Sequence, residues 1–387
     1  MPATMGTNIL GIGLTGKSLT DLERKILSEY SPYAVVLFGR NIQDVVQLKQ
    51  LIAEVRAISK REPLFMIDEE GGRVDRLRHI VPGLPSAEAF AEGERPAEMS
   101  EWSGKVIGMA LRYFDIECDL APVFDVRGGE SPKGLERRTF GNTPESVIEL
   151  GGAFMRGLHG AGTASMPKHF PGIGMGSADP HYGATVIDVA LDDLVQRDLV
   201  PFTQLGAEAG AIMIGHGLYP QFDDSGLPAS LSHKVTTELL RDIAKFDGLA
   251  VSDDMEMHAV SDLGSYEWIA EQALMAGNDV ILFCSHIERV PDLQRFLRKR
   301  IDEDAAVRAR YEQACARSER YREHCNRIRA GAGSPPRHFD EVMEECIRFV
   351  DAFRHTRTNQ TTVVPDIERR KNNRTPGKGH TGREEWT

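Results

Sequence analysis

The chain has 387 residues, 41% of them hydrophobic and 27% charged, with a formal net charge of −12. These are globular proportions that allow a large core, and the acidic balance argues against a nucleic-acid binder, whose electrostatic footprint is basic. No apolar run of about 18 residues occurs, so no membrane association is expected.

The opening MPATMGTNILGIGLTG lacks the basic start and continuous apolar stretch of a secretory signal, so a cytoplasmic location is expected. Thr20-Asp-Leu-Glu23 has the form of a capping box opening a helix. Short apolar runs at 34–38, 64–67, 211–214, 249–251 and 280–283 have the length and polar or glycine boundaries of buried parallel strands. Ile116, Cys118 and Leu120 alternate with acidic residues and predict a further, half-buried strand. Helical spacing covers 44–58, 96–113, 144–160, 191–210 and 266–276. From about residue 301 the character changes: 302–330 is charged and helix-forming, Ser334-Pro-Pro336 interrupts it, and 339–355 forms another helix. The polar segment 357–387 is expected to be a disordered tail.

Strand-then-helix units repeated this often imply an α/β fold with a parallel sheet. Periodicity alone does not separate a closed barrel from an open sheet. However, unusual polar residues repeatedly fall just after a strand: Asp68, His169, His216 and Asp253. Functional groups at the C-terminal ends of several strands are a habit of the (β/α)8 TIM-type barrel. The expected organisation is a single catalytic barrel over 1–330, a C-terminal helical extension over 331–356, and the tail. The five cysteines lack CxxC spacing and are expected to be free thiols rather than a zinc site or disulfide framework.

Three segments carry candidate chemistry. In Ile67-Asp-Glu-Glu-Gly-Gly-Arg-Val-Asp-Arg-Leu-Arg78, a strand-end carboxylate such as Asp68 can accept from vicinal hydroxyls while an arginine reaches a polar ring substituent. Pro167-Lys-His-Phe-Pro-Gly-Ile-Gly-Met-Gly-Ser-Ala-Asp-Pro-His-Tyr182 is a glycine-rich loop in which Asp179 and His181 make a carboxylate–imidazole acid/base unit. In Gly248-Leu-Ala-Val-Ser-Asp-Asp-Met-Glu-Met257, paired carboxylates follow an apolar strand, where one could attack an electrophilic carbon. Taken singly, each segment is also compatible with a solvated turn, an accidental pair or a helix-capping acidic turn.

Together and in this order, these segments resemble glycoside hydrolase family 3, in particular its short, single-domain bacterial β-N-acetylglucosaminidases. Ala121-Pro-Val-Phe-Asp-Val126, Arg138-Thr-Phe-Gly141, Lys168-His-Phe-Pro-Gly172, Gly215-His-Gly-Leu-Tyr219 and Ser252-Asp-Asp-Met255 extend the resemblance from about Ile9 to Ala330. The resemblance implies Asp253 as nucleophile, His181 as general acid/base with Asp179 as its partner, and Asp68, Arg76, Arg138, Lys168 and His169 as binders of the terminal sugar. It further implies a barrel without metal or cofactor, a covalent glycosyl-enzyme intermediate, and hydrolysis of terminal β-linked N-acetylglucosamine from peptidoglycan-derived muropeptides by a monomer. The chain departs from the family pattern at Ile173 (histidine is usual), Pro180 (serine is usual) and Arg137 (usually acidic or uncharged). Two alternatives remain open at this level: a phosphorylase of the same fold, and a catalytically weak amino-sugar sensor.

Overall fold

The computed structural model describes residues 8–129, 132, 134–178 and 184–358. Eight parallel strands form one sheet: β1 (Leu10–Gly13), β2 (Ala34–Leu37), β3 (Leu64–Ile67), β4 (Cys118–Asp119), β5 (Ala164–Ser165), β6 (Ala211–Ile214), β7 (Leu249–Asp254) and β8 (Val280–Phe283). Their order is β6-β7-β8-β1-β2-β3-β4-β5. The remaining gap between β5 and β6 is bridged by the chain beyond β5. Met213 N donates to Pro167 O and Phe170 N donates to Met213 O, both at 2.9 Å. The expected (β/α)8 barrel is therefore the observed fold.

Outer helices include α1 (Asp21–Tyr30), α2 (Val45–Ile58), α3 (Pro96–Tyr113), α4 (Pro144–Ala161), α5 (Val200–Ala209), α6 (Tyr266–Ala276), α7 (Val290–Glu303), α8 (Ala305–Gly331) and α9 (Phe339–Thr358). Helix α1 starts with the capping box expected from Thr20 and Glu23. The strand β1 was not singled out by the sequence reading, although its four residues are all buried. The stretch 191–210 is not one regular helix. A single turn (Leu191–Asp193) and a π-type segment (Leu194–Asp198) precede α5, where Pro201 offers no N–H for a regular ladder. The half-buried strand expected around Cys118 is also corrected. Both of its faces are covered, and Asp119 is fully buried with Oδ1 accepting Glu69 N at 2.9 Å. In a barrel the outward face of a strand lies under helices rather than water.

Alternation along the strands divides the core in two. Val35, Leu37, Phe65, Ile67, Ile212, Ile214 and Ile281 pack under the helices. Ala34, Val36, Leu64, Met66, Ala164, Met166, Leu249, Val251, Val280 and Leu282 fill the interior as stacked side chains. Tyr321 and Cys325 of α8 join that interior cluster, and Tyr33 donates to Ser318 O at 2.9 Å. Buried Asp279, just before β8, binds Arg310 of α8 at 2.6 Å and Arg241 at 2.9 Å. Helix α8 thus stoppers the N-terminal mouth, which leaves the opposite mouth for ligand. Helix α9 lies on α3, where Trp102 donates to Glu345 at 3.0 Å and meets Phe349 edge-on at 5.6 Å. The tail from residue 359 lies outside the described residues.

Candidate active site

The strand alternation that fills the barrel also aims its functional groups. Extending the inward series Leu64–Met66 reaches Asp68, extending Ala164–Met166 reaches Lys168, and extending Leu249–Val251 reaches Asp253. These three residues border one cavity of about 520 Å³ together with Arg76, Arg138, His169 and His216. Six of the eight site residues expected from sequence therefore converge. The other two, Asp179 and His181, lie outside the described residues, as does Pro180. The residues that resume the chain after them, Ala184 and Thr185, line the cavity wall.

One side of the cavity is an ion-pair cluster. Lys168, 2% exposed, pairs with Asp68 and lies 2.7 Å from Glu70 Oε1. Arg138 grips Glu70 with two parallel bonds, Nε to Oε2 at 2.8 Å and Nη2 to Oε1 at 2.7 Å. Burial opposes ionisation of Glu70, but Lys168 and Arg138 outweigh it and bring its pKa down to about 2. Burial likewise opposes the charge on Lys168, and the flanking Asp68 and Glu70 carboxylates overcome it, so its pKa is raised. Arg76 stands 3.8 Å from Asp68. The cluster is thus a fixed array of donors and acceptors suited to ring hydroxyls.

His169 is oriented from behind. Its Nδ1 lies 2.7 Å from Asp125 Oδ2, while Asp125 Oδ1 accepts Ile173 N at 2.8 Å. Asp125 thereby fixes the plane of the His169 ring at the cavity edge. Ile173 itself lines the cavity as an apolar wall.

On the β7 side the two adjacent carboxylates have different environments. At Asp253, burial opposes ionisation, but His216, His169, the Asp254 N–H and Lys168 together hold the pKa below the ordinary value. Asp254 is turned away from the cavity, with Oδ1 accepting Glu256 N and Cys284 N, both at 3.2 Å. Burial pushes its pKa up to about 6. A register shift in the β7–β8 pairing between Val251 and Asp254 accompanies this separation of the two side chains. His216 is held by Ser230 Oγ at 2.7 Å and Asp254 O at 3.0 Å. Burial lowers its pKa, with Asp253 and the Asp254 carbonyl opposing.

The sequence reading did not mark Glu70 or Asp125 as site residues and left His216 undecided between pocket and structural roles. Each followed a strand end or lay inside a quoted motif, which was the available signal. Among the described residues no cluster of three or more His, Cys, Asp or Glu could hold a metal ion. No described helix is long and apolar enough to cross a membrane, and no disulfide joins any of the five cysteines.

The model of the glycosyl hydrolase family 3 N-terminal domain matches residues 9–318. The chain belongs to glycosyl hydrolase family 3. A β-hexosaminidase of Pseudomonas aeruginosa is 36% identical over 280 residues, 72% of this chain and 82% of that relative. The structure of a family 3 β-N-acetylglucosaminidase from Paenibacillus sp. str. FPU-7 superposes with TM-score 0.78 at 30% identity, covering 88% of this chain and 66% of that one. The chain therefore spans just under two thirds of that structure's length. NagZ from Neisseria gonorrhoeae, in complex with N-trifluoroacetyl-D-glucosamine, gives TM-score 0.68 at 26% identity, covering 84% and 97%. Within this glycoside hydrolase, the strand ends that bear Asp68, Lys168 and Asp253 form one rim of a barrel.

Beneath the loop that begins at Pro167, Asp198 is 1% exposed and pairs with Arg197 at 2.9 Å. Arg197 in turn holds Val126 O and Arg127 O at 3.1 and 2.7 Å. Burial pushes the Asp198 pKa up to about 6, with Arg197 opposing. A carboxyl whose folded pKa is raised contributes fully below its unfolded value, and that contribution is lost as pH rises through the folded value. The stability of Asp198→Asn relative to wild type should therefore rise by about 2 kcal/mol between about pH 4 and about pH 8. Urea unfolding at the two pH values checks this, and a constant difference would refute it.

Proposed function

We propose that this β-N-acetylhexosaminidase removes terminal β-linked N-acetylglucosamine with retention of configuration, through a covalent intermediate on Asp253. The observation that carries the reading is the half-buried Asp253 carboxylate at the end of β7, its pKa held below the ordinary value, facing the same cavity as the Asp68–Lys168–Arg138 cluster. Asp68, Arg76, Arg138, Lys168 and His169 bind the hydroxyls of the terminal sugar. Asp253 attacks the anomeric carbon while His181, paired with Asp179, protonates the departing oxygen. The C–O bond to the leaving group breaks as the Asp253–carbon ester forms. Water, deprotonated by His181, then releases the sugar and restores both groups.

An imidazolium suits the acid role because it donates near neutral pH without the burial a carboxylic acid requires. Ala184 and Thr185, which follow His181 closely in the chain, line the cavity, which supports His181 as the donor. The natural substrates proposed are muropeptides from peptidoglycan turnover, cleaved by a cytoplasmic monomer. The related β-hexosaminidases support the amino-sugar specificity.

The test is hydrolysis of a fluorogenic aryl β-N-acetylglucosaminide beside the matching β-glucoside, with the product examined for free sugar or sugar 1-phosphate. Cleavage of the N-acetyl substrate alone to free sugar supports the reading, and cleavage of neither sinks it. For His181→Ala, a natural disaccharide should lose roughly 10³-fold in kcat, whereas an aryl glycoside with a good leaving group should lose less than about tenfold. Equal losses on both substrates would remove His181 from the acid role.

A further inference from the structure

A second cavity of about 410 Å³ opens beside the sugar cavity, and Arg76 borders both. It is formed by the chain just after β2 and by the stretch 73–79 beyond β3. Its charge is one-sided. Arg40, Arg73, Arg76, Arg78 and His79 line it, against the single carboxyl group of Asp75. Burial raises the pKa of Asp75, with Arg78 opposing, and its Oδ2 faces Leu84 N at 3.4 Å, so one carboxyl group stands against four guanidiniums.

Many arginines elsewhere in the molecule are matched to carboxylates, as Arg56 is to Glu62 and Glu117, and Arg300 to Glu271 and Asp304, although Arg112 and Arg308 bond carbonyls alone. In this cavity Arg40 and Arg78 are not, and Arg76 is matched only at long range. Arg40 donates only to neutral carbonyls, Leu14 O at 2.8 Å and Cys284 O at 2.6 Å. Arg76 has its carboxylate partner at 3.8 Å, and its buried Nε has no hydrogen-bond partner. Among the described residues, the side chains of Arg78 and His79 make no hydrogen bond or ion pair. Arg73 alone has a close carboxylate, exposed Glu136 at 2.6 Å. The Phe38 ring lies beneath two of the guanidiniums, 4.2 Å from Arg40 and 6.0 Å from Arg76, which helps fix their planes. Four guanidiniums converging on one cavity, in a chain of net charge −12, repel one another unless an anion lies between them. Their forked donors match the oxygens of phosphate and carboxylate.

The position of the cavity says which end of a substrate it meets. In the strand order β7-β8-β1-β2-β3, β3 lies four strands from β7 in a ring of eight, on the opposite side of the barrel. A sugar with its anomeric carbon at Asp253 therefore points its far end, with the C6 arm, toward Arg76 and the second cavity. We propose that the Arg40–Arg73–Arg76–Arg78 cavity is an anion subsite contiguous with the sugar site, taking a phosphate or carboxylate on the far end of the terminal N-acetylhexosamine. This rests on Asp253 being the nucleophile. The same chemistry would accept free inorganic phosphate, so the test separates the two sources.

The experiment compares kcat/KM for 4-methylumbelliferyl β-N-acetylglucosaminide and its 6-phosphate in wild type and in Arg73→Gln/Arg78→Gln. Both substituted residues are exposed and lie outside the sugar cavity. Calorimetric titration of the whole protein with inorganic phosphate reads the subsite independently of turnover. Wild type should prefer the 6-phosphate by about tenfold or more. The variant should lose that preference while keeping its rate on the neutral glycoside. Phosphate binding that the variant loses, without preference between the glycosides, would assign the subsite to a free anion and overturn the sugar-borne ligand. Phosphate binding with no hydrolysis of either glycoside would sink the proposed activity and leave the subsite standing. No preference together with no phosphate binding overturns the subsite.

Discussion

Asp253→Asn is expected to lower kcat by roughly 10⁴-fold or more on every β-N-acetylglucosaminide, whatever its leaving group. An amide of nearly the same shape keeps the cavity but cannot form the ester to the anomeric carbon. The substitution should cost some stability at neutral pH, because the folded state holds the Asp253 pKa below its ordinary value, so kcat is read in protein that circular dichroism shows folded. KM for substrate, read in a slow residual assay or by binding, should stay within a few-fold, since the proposed sugar-binding groups Asp68, Lys168 and Arg138 line the cavity and are untouched. Asp254→Asn is the informative control. Its side chain accepts Glu256 N and Cys284 N instead of facing the cavity, so its loss should show mainly as lower stability. Comparable losses of kcat in the two variants would mean that the assignment of Asp253 over Asp254 is wrong.

The legibility of this site in the sequence follows from the period of a strand. Because side chains alternate, a buried run such as Leu64–Ile67 determines that Asp68 continues the inward face, and the same holds for Asp253 after Val251. The barrel was readable for the same reason: the exceptional residues sat where strands ended. What alternation could not supply was the partner of each group across the barrel. Asp125 and His169 are 44 positions apart, and their 2.7 Å contact exists only because the segments after β4 and β5 are neighbours in the sheet. Glu70 was hidden differently. It looked like one charge among several in a turn, and its importance lies in being 6% exposed between Lys168 and Arg138. The half-buried reading of the Cys118 strand failed because acidic residues on one face usually mean water, whereas Asp119 is buried and accepts the Glu69 N–H. Ile173 shows the limit from the other direction. Its apolar side chain departs from the family pattern, yet its backbone N–H still serves Asp125 and so still helps to place His169.

Lys168→Met should damage both stability and binding, because this lysine is the charge on which two acids depend. It is 2% exposed, and without it Asp68 keeps only Arg76 at 3.8 Å while Glu70 keeps only Arg138. Removing one member of a buried ionic cluster leaves an uncompensated charge, which costs about 3 kcal/mol or more at neutral pH. That cost has a definite pH dependence. Glu70 has a folded pKa depressed to about 2, so its contribution is present above its unfolded value and is lost as pH falls toward about 2. In the variant the Glu70 pKa rises, and the stability gap between wild type and Lys168→Met should narrow as the solution is acidified from about pH 5 toward pH 2. Urea unfolding across that range measures the gap, and a gap that widens on acidification would contradict the assigned charges. The kinetic consequence is separate. A charged donor lost from the sugar site should lower kcat/KM by roughly 10²-fold under conditions where circular dichroism shows the variant folded. If kcat/KM is unchanged in folded protein, Lys168 serves the ion-pair cluster alone, and the sugar hydroxyls are read by Asp68, Arg138 and His169 without it.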